Sequence, residues 1–287
     1  MRRRKRARRE DSGGSEDSEE DEDKDWEPRS PLRPPPVRSL VVGGAEASPG
    51  QFPYQAGLLV TRGERGSEGV ARCGAALLTD RWLITAAHCC RKGTNIRVFL
   101  GSYPTMQDAQ QQFDTSVVLM HPKYTRDNPG HHDLALIKLP KPVRFNSKVR
   151  PVRLPAWRHR GDDFAGKVAT LSGWGKTSDA DQRPSKGTAV LHFAKERVLT
   201  SEQAESILER KMAPYFLCVR GLQGEVSCNG DSGGPLTVEA DDGRPMLIGV
   251  VSHRYGQQCD RSRAHVCTRV TSFLPWIASV TRAAIEH

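Results

Sequence analysis

Long apolar runs are missing from this sequence of 287 residues. The longest, Met246 to Val251, is far shorter than the roughly 18 apolar residues that mark a membrane-spanning helix. The N-terminus also lacks the apolar segment of a secretory signal, because Arg2 to Arg9 leads directly into an acidic block. We therefore expect no transmembrane segment and, in the chain as written, no export signal.

Paired ligand spacings typical of zinc sites are missing as well. The seven cysteines form neither a CxxC pair nor a paired Cys/His pattern, so we predict no metal and no cofactor. Their wide spread is typical of disulfides that close medium-sized loops in an oxidising compartment. This conflicts with the missing signal, and we give the cysteines more weight than the start site.

The chain divides by charge at about residue 40. Residues 1–40 hold 11 bases and 11 acids, so residues 41–287 hold 43 − 11 = 32 bases and 34 − 11 = 23 acids and carry the whole net charge of +9. We expect 1–40 to be a disordered, charged and Pro-rich tail. Its basic run is read either as a nuclear-localisation or nucleic-acid segment, or as a processing site or a wrongly chosen start. The disulfide signals favour the last two.

From Val41 onward, short apolar runs alternate with turn residues, which predicts an all-β fold. Near the end Phe273, Ile277, Val280 and Ala284 recur at helical spacing and predict one C-terminal helix. The Gly- and charge-rich segment Thr61 to Arg72 is expected to form a surface loop. The apolar runs are Ala75–Leu78, Trp82–Ile84, Val98–Leu100, Val117–Met120, Leu134–Leu139, Val168–Leu171, Val190–Phe193, Met246–Val251 and Val266–Val270.

Three segments carry residues suited to catalysis. Ser232 lies between glycines in Gly230-Asp231-Ser232-Gly233-Gly234-Pro235, where a nucleophile can be approached closely and the amides of Gly230 and Ser232 can point at one oxyanion. His88, in Thr85-Ala86-Ala87-His88-Cys89, offers a general base. Asp133 precedes a strand expected to be buried and can hold a histidine in one tautomer.

Together these segments, in the order His88, Asp133, Ser232, resemble the chymotrypsin-like serine endopeptidases. The resemblance covers residues 41–287 and includes Val41-Val42-Gly43-Gly44 and Ser172-Gly173-Trp174-Gly175. Through Cys228-Asn229-Gly230-Asp231-Ser232 it is most similar to arthropod chymotrypsin-like and collagenolytic enzymes.

The resemblance implies two six-stranded antiparallel β-barrels, at roughly 41–150 and 151–287, with the active site between them and a C-terminal α-helix. It implies that Ser232 attacks the scissile carbonyl as His88 removes its proton, through an acyl-enzyme, while Asp133 stabilises the imidazolium. Ser252 is expected to hydrogen-bond Asp133. The amides of Gly230 and Ser232 are expected to form the oxyanion hole.

The family's activation scheme implies that residues 1–40 are a propeptide and that the freed amino group of Val41 pairs with Asp231. The bond to be cut, Leu40-Val41, lacks the basic residue of members activated by tryptic enzymes. Either the activator prefers Leu, or cleavage at Arg38 is followed by trimming.

The specificity pocket departs from the family pattern. The resemblance places Val226 at its floor and Arg254 and His265 at its walls. An apolar floor argues against cleavage after Lys or Arg. We predict small or apolar residues at the cut site and keep open an acidic preference through Arg254.

The resemblance implies two disulfides, Cys73–Cys89 and Cys228–Cys259. Cys218 lacks its usual partner, whose position holds Ala204, while Cys267 stands where the family has an aromatic residue. A replacement Cys218–Cys267 bridge is therefore expected, to be excluded by α-carbons more than about 7 Å apart. Cys90 remains, either free or available for an intermolecular bond.

The prediction is an extracellular, monomeric serine endopeptidase made as a zymogen. Its expected partners are protein or peptide substrates and an activating protease, with proteinaceous inhibitors and sulfated glycans as candidates; neither nucleic acid nor membrane is expected. The alternative is a catalytically weak homologue that binds protein or sulfated glycan through its basic surface. A nuclear protein is a third reading that contradicts the disulfides.

Overall fold

The computed structural model describes residues 44–62, 68–90, 95–125, 127–128, 130–175, 190–222, 232–255 and 264–287. Fourteen strands and two α-helices are found within these ranges. The strands are β1 Gly44–Glu46, β2 Gln55–Arg62, β3 Glu68–Leu77, β4 Trp82–Thr85, β5 Asn95–Leu100, β6 Gln111–Thr115, β7 Val118–Met120, β8 Ala135–Lys138, β9 Val168–Gly173, β10 His192–Val198, β11 Phe216–Gly221, β12 Pro235–Glu239, β13 Pro245–Tyr255 and β14 Ala264–Arg269. The helices are α1 Ser201–Leu208 and α2 Leu274–Thr281.

The first sheet has the order β6-β5-β2-β3-β4-β8-β7, and every pairing in it is antiparallel. Its two outer strands, β6 and β7, follow one another in the chain with only residues 116 and 117 between them. This sheet is therefore an incompletely closed barrel whose two edge strands are consecutive in the chain, and no pairing between β6 and β7 is found among the described residues.

The second sheet closes on itself through β9-β10-β11-β14-β13-β12, because β9 pairs with both β10 and β12. β1 occupies the part of the β10 edge that β11 leaves open, with Gly44 opposite Ala194. The prediction of an all-β fold with two barrels and a C-terminal helix is confirmed.

Apolar packing joins the C-terminal helix to the first barrel. The largest cluster fills the first barrel, with Leu58, Ile84 and Leu136 fully buried, and extends to Phe273 and Ile277 at the C-terminal end. α2 therefore packs its predicted apolar face against the first barrel although it follows the second. The helix is shorter than expected, since it ends at Thr281, before Ala284, and the next residue, Arg282, has φ 56°.

Two segments differ from the sequence prediction. The expected loop from Thr61 to Arg72 is wrong for its described residues, because β2 and β3 pair through Thr61–Val70 and Leu59–Arg72. Pairing thus overrides the loop-like Gly and charged composition of this segment. The helix α1 was not predicted, although Thr200 and Gln203 form a capping box at its start.

No helix among the described residues is both long enough and apolar enough to cross a bilayer. The longest described helices have eight residues each.

Candidate active site

Asp133 lies just before β8, at the boundary between the two barrels, and its side chain is fully buried. Oδ1 accepts a hydrogen bond of 2.8 Å from the backbone N–H of His88. Oδ2 lies 2.7 Å from Nδ1 of the His88 ring. A carboxylate only accepts, so Nδ1 carries the proton and Nε2 is the basic nitrogen.

A short 3-10 helix, Ala87–Cys89, carries His88 directly after β4. The disulfide Cys73–Cys89, with α-carbons 6.3 Å apart, ties this helix to β3. The His88 side chain is 32% exposed, in contrast to the buried Asp133. Its orientation is therefore fixed from the buried side while its outer nitrogen stays accessible.

The second barrel completes the environment of Asp133. Ser252, in β13, donates a short hydrogen bond from Oγ to Asp133 Oδ2. Thr268, in β14, donates from Oγ1 to the Asp133 carbonyl oxygen at 2.9 Å. Three donors thus hold the carboxylate, which stabilises its negative charge without water. Thr268 was not predicted, because its partner is a backbone atom.

Ser232 is held at the same boundary by its backbone. Its carbonyl oxygen accepts a 2.8 Å hydrogen bond from the N–H of Gly74 in β3. The next residue, Gly233, has φ +82° and donates to Val251 O at 2.7 Å. A Cβ on Gly233 would lie 2.1 Å from Thr85 Oγ1, so only glycine fits after the serine.

The disulfide sulfur of Cys89 marks where these groups meet. It lies 3.8 Å from His88 Nε2 and 3.6 Å from the Ser232 carbonyl oxygen. The backbone of Ser232 therefore lies near the hydrogen-bonded pair of His88 and Asp133, although the three residues come from distant segments of the chain.

The remaining predicted residues fall partly outside the described part of the chain. Val41, Val226, Cys228, Gly230, Asp231 and Cys259 lie outside it. Arg254 is described only through its backbone, which pairs with His265 across β13 and β14.

His265 has a partner that the sequence analysis missed. Its ring is 3% exposed, and Nδ1 lies 3.3 Å from Oε1 of Glu196, a fully buried residue of β10. Glu196 lies between Ala194 and Val198, which are also buried, so the alternation of inward positions is the signal that could have found it.

The expected Cys218–Cys267 disulfide is wrong. Both cysteines are free and buried. In the pairing of β11 with β14, Leu217 is opposite Cys267 and Cys218 is opposite Val266. The two sulfurs therefore leave the sheet on opposite faces, since neighbouring residues of a strand alternate. Cys90 is also free, and burial raises the pKa of its thiol to about 12.

A cluster of rings lies behind Asp133. His132, with φ 53°, stacks on His121 at 5.3 Å and packs against Tyr215. Burial lowers the pKa of His121 to about 4, helped by the nearby His132 and Lys123. The His132 pKa is lowered for the same first reason. These imidazoles are therefore neutral at neutral pH and pack like aromatic side chains.

One described group, Cys73, His88 and Cys89, has the proximity of a metal site. Because both sulfurs are in the disulfide, neither is available as a thiolate ligand.

Comparison with known proteins decides the family. The family model described as Trypsin matches residues 41–277. This chain belongs to the trypsin family. It is a chymotrypsin-like serine endopeptidase, a hydrolase that acts on peptide bonds of protein substrates.

Relatives of this trypsin-family chain include the collagenase of Hypoderma lineatum, 31% identical over 84% of this chain and 87% of the relative. The bovine (Bos taurus) Suppressor of tumorigenicity 14 protein homolog and the Serine proteinase stubble of Drosophila melanogaster are each 33% identical over 84% of this chain. The alignments span only 28% and 31% of those two longer proteins. A solved HL collagenase structure matches with a TM-score of 0.73 and 30% identity, covering 85% of this chain and all of the other.

Proposed function

We propose that the chain cleaves peptide bonds through a Ser232-His88-Asp133 triad. The observation that carries the proposal is the buried Asp133 carboxylate, which is bonded to both the ring and the backbone of His88. This arrangement supports one tautomer, with Nε2 of His88 as the base. The proposal adds the transfer of the Ser232 Oγ proton to that nitrogen as Oγ attacks the scissile carbonyl.

The acyl-enzyme forms when the leaving amine takes the proton from His88. Water, deprotonated by the same nitrogen, then hydrolyses the ester. The amides of Gly230 and Ser232 are the proposed oxyanion donors, each contributing roughly 3 to 4 kcal/mol to transition-state stabilisation. The hydrogen bond from Gly74 to the Ser232 carbonyl holds the backbone of the proposed nucleophile against β3.

The proposed enzyme is made as a zymogen with residues 1–40 as its propeptide and 41–287 as the peptidase. Release of the Val41 amino group and its pairing with Asp231 would orient the Gly230 amide. N-terminal sequencing of active protein is expected to begin at Val41. Another N-terminus in fully active protein would contradict the activation scheme.

We propose that the enzyme is not trypsin-like and cleaves after small or apolar residues, because the resemblance places the apolar Val226 at the floor of the specificity pocket. The His265 side chain is buried against Glu196. This contact supports a specificity pocket in which the His265 side chain is directed at Glu196 and is not available to bind substrate. Arg254 keeps an acidic preference open. Profiling that shows strong selectivity for Lys or Arg would contradict both preferences.

We propose extracellular action, and the Cys73–Cys89 disulfide supports an oxidising compartment. An activating protease, proteinaceous inhibitors and sulfated glycans remain the proposed partners. The alternative of a catalytically weak binding protein gains no support from the described residues.

The decisive experiment incubates protein processed to begin at Val41 with a peptide library, alongside Ser232→Ala. The processed protein is expected to cleave, and the variant to lose about 10⁴-fold or more in kcat/KM. Equal cleavage by both proteins would overturn the proposed nucleophile.

A further inference from the structure

Ser252 has a second hydrogen-bond neighbour besides Asp133. Its Oγ lies 3.1 Å from Nδ1 of His253, the next residue of β13. A hydroxyl has one proton, and that of Ser252 is donated to Asp133 Oδ2. Ser252 Oγ therefore accepts from His253, which requires the tautomer with the proton on Nδ1.

The His253 ring is held in this position by close packing. A Cβ on Gly130 would lie 2.9 Å from its Cε1 and 3.3 Å from its Nδ1, so the ring occupies space that only a glycine leaves open. Phe216 contacts it edge-on, with ring centroids 6.1 Å apart and the planes at 83°. The ring therefore cannot turn freely away from Ser252.

The charge state of His253 fits a donor that is neutral at working pH. Burial lowers its pKa to about 4, and the charges of Arg210, His88 and His131 act in the same direction while Asp133 opposes them. The imidazole thus carries one proton at neutral pH, and the geometry with Ser252 assigns it to Nδ1.

From this geometry we propose that His253 is a positioning residue of the catalytic site, the last member of a hydrogen-bonded chain that runs His253 Nδ1–H to Ser252 Oγ–H to Asp133 Oδ2. The inference rests on the proposed function, since it concerns the same triad. Hydrogen bonds in a chain polarise one another, so the His253 donor makes the Ser252 hydroxyl a better donor to Asp133. Part of the Asp133 charge is thereby withheld from His88.

The series of hydrogen bonds from His253 to Asp133 determines the direction in which the pH profile shifts. Without the His253 donor, Ser252 holds the carboxylate less tightly and more of its charge acts on the His88 imidazolium. Protonated His88 is then stabilised, and the acidic limb of the kcat/KM profile moves to higher pH. We expect a shift of about 0.5 pH unit, with KM little changed.

The matched pair is His253→Asn and His253→Leu. Asn places an amide nitrogen where His has Nδ1, whereas Leu places a methyl group there and has the same number and branching of side-chain heavy atoms as Asn. His253→Asn is expected to retain the wild-type pH profile, and His253→Leu to show the shift. Equal profiles for both variants, whether shifted or not, would overturn the role of the donor.

A double-mutant cycle with Ser252→Ala tests the path. Because the chain passes through the Ser252 hydroxyl, His253→Leu is expected to cause no further shift in the Ser252→Ala background. A full additional shift would show that His253 acts by another route and would overturn the proposal. Circular dichroism and thermal unfolding of each variant identify loss of folding, and His253→Phe supplies a ring without a donor if Leu does not fold.

The outcome separates this inference from the proposed function. If Ser232→Ala is as active as the wild type, the triad itself fails. If Ser232→Ala is inactive and the His253 variants show the wild-type limb, only the role of His253 fails.

Discussion

The two barrels bury charge in different ways. In the first, Asp133 lies at the boundary with the second barrel, and three donors satisfy its carboxylate. In the second, Glu196 and His265 lie inside and form an ion pair, but Glu196 Oε1, 3.3 Å from His265 Nδ1, has no hydrogen bond of good geometry among the described residues. A buried charge with complete hydrogen bonding can be used in chemistry, whereas one with incomplete bonding chiefly costs stability. In the proposed mechanism, the first barrel thus supplies the carboxylate of the triad.

Asp133→Asn is expected to have the largest effect. The amide cannot accept from both His88 donors and Ser252 at once, so His88 loses its tautomer and orientation. We expect kcat/KM to fall roughly 10³- to 10⁴-fold. Steady-state kinetics on protein processed at Val41 measures it.

Its control is Asp114→Asn, because Asp114 is an exposed acid of the same barrel that pairs with Arg97. This variant is expected to keep full activity. A loss of less than tenfold for Asp133→Asn would contradict the catalytic use of Asp133.

Glu196→Ala tests the second barrel. Removing one partner leaves His265 buried beside a cavity, and we expect the free energy of unfolding to fall by about 3 kcal/mol. Replacing both, as Glu196→Leu with His265→Leu, is expected to recover most of that loss because the buried ion pair is removed as a whole. Urea unfolding measures the free energy of unfolding of these variants. The control is Asp114→Ala, which removes the exposed, water-screened ion pair between Asp114 and Arg97. A double variant no more stable than Glu196→Ala would contradict the account of this pair.

Gly233→Ala tests the contact between the barrels. Both this glycine and Gly166 have positive φ, +82° and +79°. A Cβ at Gly233 would meet Thr85 Oγ1 at 2.1 Å and Gly74 O at 2.5 Å, whereas a Cβ at Gly166 meets nothing within 4 Å. We expect Gly233→Ala to cost about 2 kcal/mol more than Gly166→Ala in urea unfolding. Equal losses of unfolding free energy in the two variants would show that the positive φ, and not the close contact of Gly233 with Thr85 and Gly74, causes the destabilisation.

The smallest effect concerns pH. The pKa of His121 is lowered from 6.5 to about 4 in the folded protein, so the unfolded chain takes up that proton first as the pH falls. Stability from this group is present above pH 6.5 and declines towards about pH 4. His121→Phe, which keeps an aromatic ring against Phe273 and Trp276, is expected to flatten the decline in urea unfolding. If the free energy of unfolding of His121→Phe declines with pH as steeply as that of the wild type, His121 is not the neutral group described here.

The sequence predicts the residues of the candidate site best, because catalysis requires particular residue types in short motifs. His88, Asp133, Ser232 and Ser252 follow from such motifs and the family resemblance, and the structure joins His88 and Ser252 to Asp133 by hydrogen bonds. Nine strands overlap the predicted apolar runs, but β1, β2, β6, β11 and β12 overlap none of them.

Features that depend on strand register could not be predicted. The Cys218–Cys267 pairing required both sulfurs on one face, and a one-residue offset between β11 and β14 separates them. Glu196 and His265 meet for the same kind of reason, since residues far apart in sequence share the interior of one barrel. His253 escaped notice because its role depends on the proton of its neighbour Ser252.

The most direct test of the account is covalent labelling of the processed protein with a fluorophosphonate, followed by peptide mass mapping. The account predicts one adduct, on Ser232, and its loss in His88→Ala, because Ser232 Oγ is nucleophilic only with that base. An adduct on another residue, or equal labelling of Ser232 without His88, would contradict it.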